Sequence, residues 1–267
     1  MHPRPRLYFR RAKIYIDREV PVPDFPHLPN APITEAIIDL RIKPTTDFDL
    51  SRLEALYEAI KEQYPEKTKQ KKSDLRVEIK AEGPSQIKSS DTILGYFFRS
   101  TDKKQIFQAR LDGFTFNRLK PYKEWESFRD EAKRLWRLYA DILSPLITRV
   151  AVRYINRFDI PLPLKDFNEY LIAAPVVPPE LPQGVPSFFS RVVILVPEIE
   201  ATAVMTQVLE QVLKPTSVPI IFDIDAYREN AVGISEHDAW ALLEKLRHLK
   251  NEIFFYGLTD KAKEMFK

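Results

Sequence analysis

Three arginines recur at four-residue steps in the stretch ITRVAVRYINRFDI, as Arg149, Arg153 and Arg157. A guanidinium makes forked contacts with carboxylates and phosphates, so a row of them along one side of an extended chain is a candidate surface for an anionic or mixed-charge partner. Side chains of a strand alternate between faces. Val150, Val152, Tyr154, Asn156 and Phe158 therefore fall on one side, and Arg149, Ala151, Arg153, Ile155, Arg157 and Asp159 on the other. ITEAIIDLRI repeats the division, with Ala36, Ile38 and Leu40 opposed to Glu35, Asp39 and Arg41. Arg76, Glu78 and Lys80, Arg110 with Asp112, and Asp223 with Asp225 continue it elsewhere. Arg149, Arg153, Arg157, Arg110, Arg41 and Asp39 are the candidate partner-binding residues. The plainer alternative is a solvated sheet face whose cross-strand ion pairs contribute from a few tenths to about 1 kcal/mol each.

Other chemistry is sparse. FDIDAY puts Asp223 and Asp225 on one strand face, a pair that could hold a divalent cation or work in acid-base chemistry, but no third ligand is apparent. His248 lies one helical turn from Glu244 and from Glu252, the setting of a salt-bridged surface imidazole. Cysteine is absent, which removes disulfides, thiolate metal sites and cysteine nucleophiles together. The four histidines have no helical ligand spacing. No P-loop, GxGxxG, GxSxG or HExxH pattern occurs. No catalytic residue, metal or cofactor is assigned, apart from the alternative use of Asp223 and Asp225.

The elements that must position these residues follow from apolar periodicity. Strands are expected at ITEAIIDLRI, DLRVEIKAE, ILGYFFRS and KQIFQARLDGFTFNRL, with EKTKQKKSD as a loop between a first helix and the second strand. Leu53, Leu56, Tyr57 and Ile60 mark that helix. Trp125, Phe128, Ala132, Leu135, Tyr139 and Ile142 make the apolar stripe of a longer one. The order then restarts: strand 147–160, a short helix at KDFNEYLIA, strands at SFFSRVVILV and SVPIIFDIDAYRE, and a final helix capped by Ser235 with Asp238 three residues on. Residues 201–213 have helical propensity but stand where the repeat needs a strand. Each half thus reads as β-α-β-β-β-α, and repeats are sought before any fold is assigned. The expected fold is α+β: one antiparallel sheet, helices on one face, the other face open, in the outline of TATA-binding proteins. An arm (1–32), a first half (33–145) and a second half (146–267) share it.

Composition fits such a domain. The 267 residues are 44% hydrophobic and 12% aromatic, ample for a core. Forty-one basic against 38 acidic residues leave a formal charge of +3, which does not imply a tail-driven polycation. The exception is the start, where Arg4, Arg6, Arg10, Arg11 and Lys13 precede the proline-rich PVPDFPHLPNAP, an extended basic arm. No apolar run is long enough for a membrane span, and no secretory signal is expected, so the cytoplasm is the expected location.

The phrases PITEAIIDL, FNRLKPYKEWESFRDEA, RYINRFDIP and HDAWALLEKLRHLKNEIFFYGLTDKA, in that order, resemble a sporadically distributed prokaryotic family of uncharacterised proteins of about this length. The resemblance covers roughly residues 30 to 265 and leaves the basic arm outside. It implies no activity, cofactor or site residue. Patchy distribution fits a mobile-element or defence setting. Two functions remain open: a non-enzymatic binding protein using the charged face and the arm on a protein or nucleic-acid partner, or a metal-dependent enzyme acting on a nucleotide or other phosphorylated substrate through Asp223, Asp225, Arg153 and Arg157. Exposed edge strands invite pairing into a homodimer.

Overall fold

The structure, a computed structural model, describes residues 25–43, 50–78, 86–178, 180–181, 184–211 and 216–267, with side chains for all of these but 73–78 and 86–91. The basic cluster from Arg4 to Lys13, Lys80, and the side-chain directions expected of Arg76 and Glu78 lie outside the described residues. The order is β1 (Ile33–Ile42), α1 (Leu50–Ile60), β2 (Glu66–Glu78), β3 (Gln86–Arg99), β4 (Gln105–Arg110), β5 (Gly113–Leu119), α2 (Trp125–Leu143), β6 (Ile147–Pro161), β7 (Phe188–Val196), β8 (Ala201–Leu209), β9 (Ser217–Ile234), α3 (Glu236–Gly257) and α4 (Asp260–Glu264). The fold is α+β. The strands form one antiparallel sheet in the order β2-β3-β4-β5-β1-β6-β9-β8-β7, and the helices pack on one face.

Alternation dictates which face the helices take. Ala36, Ile38 and Leu40 of β1, Val150, Val152 and Tyr154 of β6, and Phe114 and Phe116 of β5 are all buried. Leu53, Leu56 and Ile60 of α1, Phe128, Leu135 and Tyr139 of α2, and Leu243 and Leu246 of α3 close over them. A second cluster gathers Phe158, Ile160, Phe222, Phe254 and Phe266 at the other end of β6 and β9. α2 ends where Ser144 adopts a left-handed φ of 45° and its N–H bonds Ala140 O, and Pro145 follows. Ser235 caps α3 as expected, its hydroxyl accepting from Asp238 N. The 25–32 segment docks against this end: Asn30 N–H donates to Phe266 O at 3.0 Å, and Phe25 stacks on Phe255 at 4.7 Å.

Three expectations need correction, and the open assignment at 201–213 resolves to a strand over 201–209. EKTKQKKSD is not a loop but the first two-thirds of β2, where backbone pairing with β3 holds a lysine-rich edge strand without an apolar stripe. KQIFQARLDGFTFNRL is not one strand but the hairpin β4–β5, turning at Leu111-Asp112 before Gly113. The first half accordingly runs β-α-β-β-β-β-α. KDFNEYLIA forms only a 3-10 turn, Phe167–Glu169, followed by a bridge from Leu171 to Leu258. Residues 201–209 are the strand β8, because pairing on both sides overrides the helical propensity.

Counting outward from the central β1·β6 pair gives β5, β4, β3 on one side and β9, β8, β7 on the other, with β2 added beyond β3. No helix among the described residues is long and apolar enough to cross a membrane.

Candidate functional site

The polar sides of β1, β4, β5, β6 and β9 line a trough of about 580 Å3 on the open face. Sheet register assembles it. Asp39 stands between Thr115 of β5 and Ala151 of β6, and Arg41 between Gly113 and Arg149. Ala151 is the small residue in the row, so Arg149 bends across it, its guanidinium 4.4 Å from the Tyr227 ring centroid.

Asp39 is the hub, 8% exposed although it lies on the face away from the helices. It accepts from Arg41 Nε (3.0 Å), Arg149 Nη1 (3.0 Å), Arg110 Nη2 (3.2 Å) and the Thr115 hydroxyl (2.7 Å). Burial by itself would raise its carboxyl, but Arg41, the Thr115 hydrogen bond, Arg110 and Arg149 together outweigh burial and hold it below its ordinary value. Arg110, 4% exposed, also bonds Asp112, Gln108 and Thr115. Asp225 has the opposite balance: burial raises its carboxyl, and Arg149 and Arg153 only partly offset that. Arg153 forks onto Asp223 at 2.6 and 2.9 Å, which raises the guanidinium further. Arg157 bonds Glu210 at 2.7 Å and approaches Asp159 at 3.7 Å.

All the candidates from the sequence therefore share one face. Arg41, Arg110, Arg149, Asp39 and Asp225 form one continuous network, Arg153 with Asp223 adjoins it, and Arg157 stands apart toward the end of β6. Each of these arginines has a carboxylate partner. Asp223 and Asp225 are engaged by arginines, and no group of three or more His, Asp or Glu side chains able to hold a metal ion occurs among the described residues. His248 contacts Glu252 at 3.5 Å, while Glu244 serves Trp125 and Arg129 instead.

Beyond Asp225 the same face turns apolar. Phe189 and Val193 of β7 stand opposite Val208 and Val204 of β8, which stand opposite Ile221 and Asp225 of β9. Phe189 is 68% exposed and Leu195 73%. β7 is the last strand of the sheet, and no other strand among the described residues pairs with its outer side.

Sequence reasoning missed one residue. Lys250 of α3 is 8% exposed on the helical side, its amine 3.8 Å from the Tyr154 ring centroid, in the wall of a second cavity of about 760 Å3. The signal was present: Leu243, Leu246, Lys250, Phe254 and Gly257 follow helical spacing, so a lysine interrupts the buried stripe.

The chain matches no protein-family model, and no curated protein matches it.

Proposed function

We propose that this is a non-enzymatic interaction protein that joins a protein partner through the open face of its sheet, with β7 as the joining edge and a second copy of the chain as the partner. The carrying observation is the contrast along that face: the arginines of the trough are already paired with carboxylates, while Phe189, Val193 and Leu195 stand bare on β7, whose outer side pairs with no other strand among the described residues. Phosphates would have to displace carboxylates to reach the trough, which disfavours nucleic acid there. An apolar strip rimmed by polar groups is the anatomy of a protein interface, and Arg153 and Arg157 would serve as its rim. Antiparallel pairing of two β7 strands about Val192 would set Phe189 against Leu195 and Arg191 against Val193, with no like charges opposed. The resemblance over residues 30 to 265 supports a mobile-element or defence setting. The matching strand order on either side of β1·β6 supports reading the halves as a duplicated unit.

Light scattering after size exclusion tests this. The expected result is a dimer at micromolar concentration that Val193→Lys converts to a monomer with unchanged circular dichroism. A wild-type monomer at 100 micromolar, roughly a hundredfold above the range expected for such an edge interface, would overturn it. Salt-sensitive retention on DNA that Val193→Lys leaves intact would favour nucleic acid instead.

One observation favours the enzymatic alternative: the Asp225 carboxyl, raised by burial, lies in the trough wall beside Asp223. Calorimetric binding of Mn2+ with a nucleotide, abolished by Asp225→Asn, would establish that reading.

A further inference from the structure

The second cavity lies on the opposite side of the sheet, between the 25–33 segment, the start of α2 and the latter half of α3. Its walls mix polar groups with the rings of Phe25, Trp125, Tyr154 and Phe254. Two cations one helical turn apart enter this space. Among the described residues, the Lys250 amine has neither a hydrogen bond nor an ion pair, and its one close polar contact is the face of Tyr154. Arg247 packs its guanidinium 5.5 Å from the Trp125 ring centroid and is 3.9 Å from Glu244, whose oxygens already accept from Trp125 and Arg129. The Tyr122 and Tyr154 hydroxyls meet at 2.8 Å, and since one donates to the other, one phenolic proton stays free to donate.

A buried ammonium without an anion is costly, so buried charges are ordinarily paired. Here the pairing group is missing and a space of ligand size stands in its place. We propose that this cavity binds a small-molecule anion with a flat aromatic body, its anionic group against Lys250 and Arg247 and its rings against Trp125, Tyr154 and Phe254. The site is separate from the sheet edge, and either proposal can fail without the other.

Burial, and then Arg247, lower the free Lys250 amine to about 7. A bound anion favours the ammonium, so above that pH binding takes up a proton and affinity falls by up to about tenfold per pH unit. The other ionisable groups around the cavity are Arg247, Tyr122, Lys123, Glu124, Glu126, His27 and Tyr154. His27→Gln therefore serves as a control for the one imidazole in the wall.

The probe is 1-anilinonaphthalene-8-sulfonate, followed by fluorescence, against N-phenyl-1-naphthylamine, which has the same rings without the sulfonate. The expected result is one saturable sulfonate site that Lys250→Met weakens at least about tenfold, while the neutral probe changes by less than about twofold. Lys245→Met, on the exposed side of α3, should leave both unchanged. Val193→Lys should retain the site, which separates it from the apolar strip on β7. Displacement by 1-naphthoate or 1-naphthyl phosphate supports the proposal and identifies the preferred anionic group. Equal loss of both probes in Lys250→Met, unchanged sulfonate binding in that variant, a pH-independent affinity from 6 to 9, or displacement by neither anion would overturn it.

Discussion

Asp39 keeps its charge beneath the open face because four donors reach it, and those donors depend on it in turn. With Asp39→Asn, Arg110 stays buried and keeps only the half-exposed Asp112 as a counter-charge, and removing one partner of a buried pair costs about 3 kcal/mol. Urea denaturation at pH 7 should show that loss. The folded carboxyl titrates below its ordinary value of 3.8, so its contribution is complete above that pH and drains away only as pH falls through the lowered value. The difference between wild type and Asp39→Asn should therefore be flat from pH 5 to 8 and shrink in stronger acid. Lys250 is the opposite case, a charged group with no compensating anion. Its folded value of about 7 lies below the ordinary 10.5, so the unfolded chain binds the extra proton between those limits and stability rises with pH across them. Lys250→Met should stabilise the protein on the order of 4 kcal/mol at pH 7 and by less than about 1 kcal/mol at pH 10. Denaturation at the two pH values checks the sign as well as the size.

Among the elements, the β3·β4 pair has the least room. A Cβ on Gly95 would sit 2.0 Å from the carbonyl oxygen of Ala109, backbone that side-chain motion does not relieve. Gly95→Ala should part the two strands and lower stability by about 3 kcal/mol, with thermal unfolding as the measure. That close approach was invisible in the sequence, where Gly95 merely sits within ILGYFFRS. What was legible is what periodicity encodes: β1 and β6 alternate so cleanly that their faces, and with them Arg41, Arg149, Arg153 and Arg157, could be assigned from letters. α2 and α3 were equally plain. EKTKQKKSD was not, since an edge strand held by main-chain bonds carries no face signal. The β4–β5 hairpin was hidden because Phe107, Ala109, Phe114 and Phe116 keep the alternation going on both sides of its turn, and the Asp-Gly step at 112–113 was the cue. Within the site, residue types were readable but pairings were not. Which carboxylate meets which arginine follows from register across five strands, and the cavity at Lys250 from the meeting of segments more than 200 residues apart in the chain.

At the scale of the molecule, the sheet separates two chemistries. The open side holds neutralised charge and a bare apolar edge, and the helical side holds a lined cavity with a surplus cation. β1 and β6 are the partition between them and also join the halves, paired from Ile33 with Asn156 to Ile42 with Ile147. That shared spine constrains how the chain can change length. A single residue inserted within either central strand, unless taken up as a bulge, would turn that strand's greasy side chains outward and its charged ones inward on everything beyond the insertion. Lengthening and shortening are thereby steered to the outer connections and to the ends of the pair, where β1·β6 already carries register shifts at Ile33/Glu35 and Arg41/Ile42.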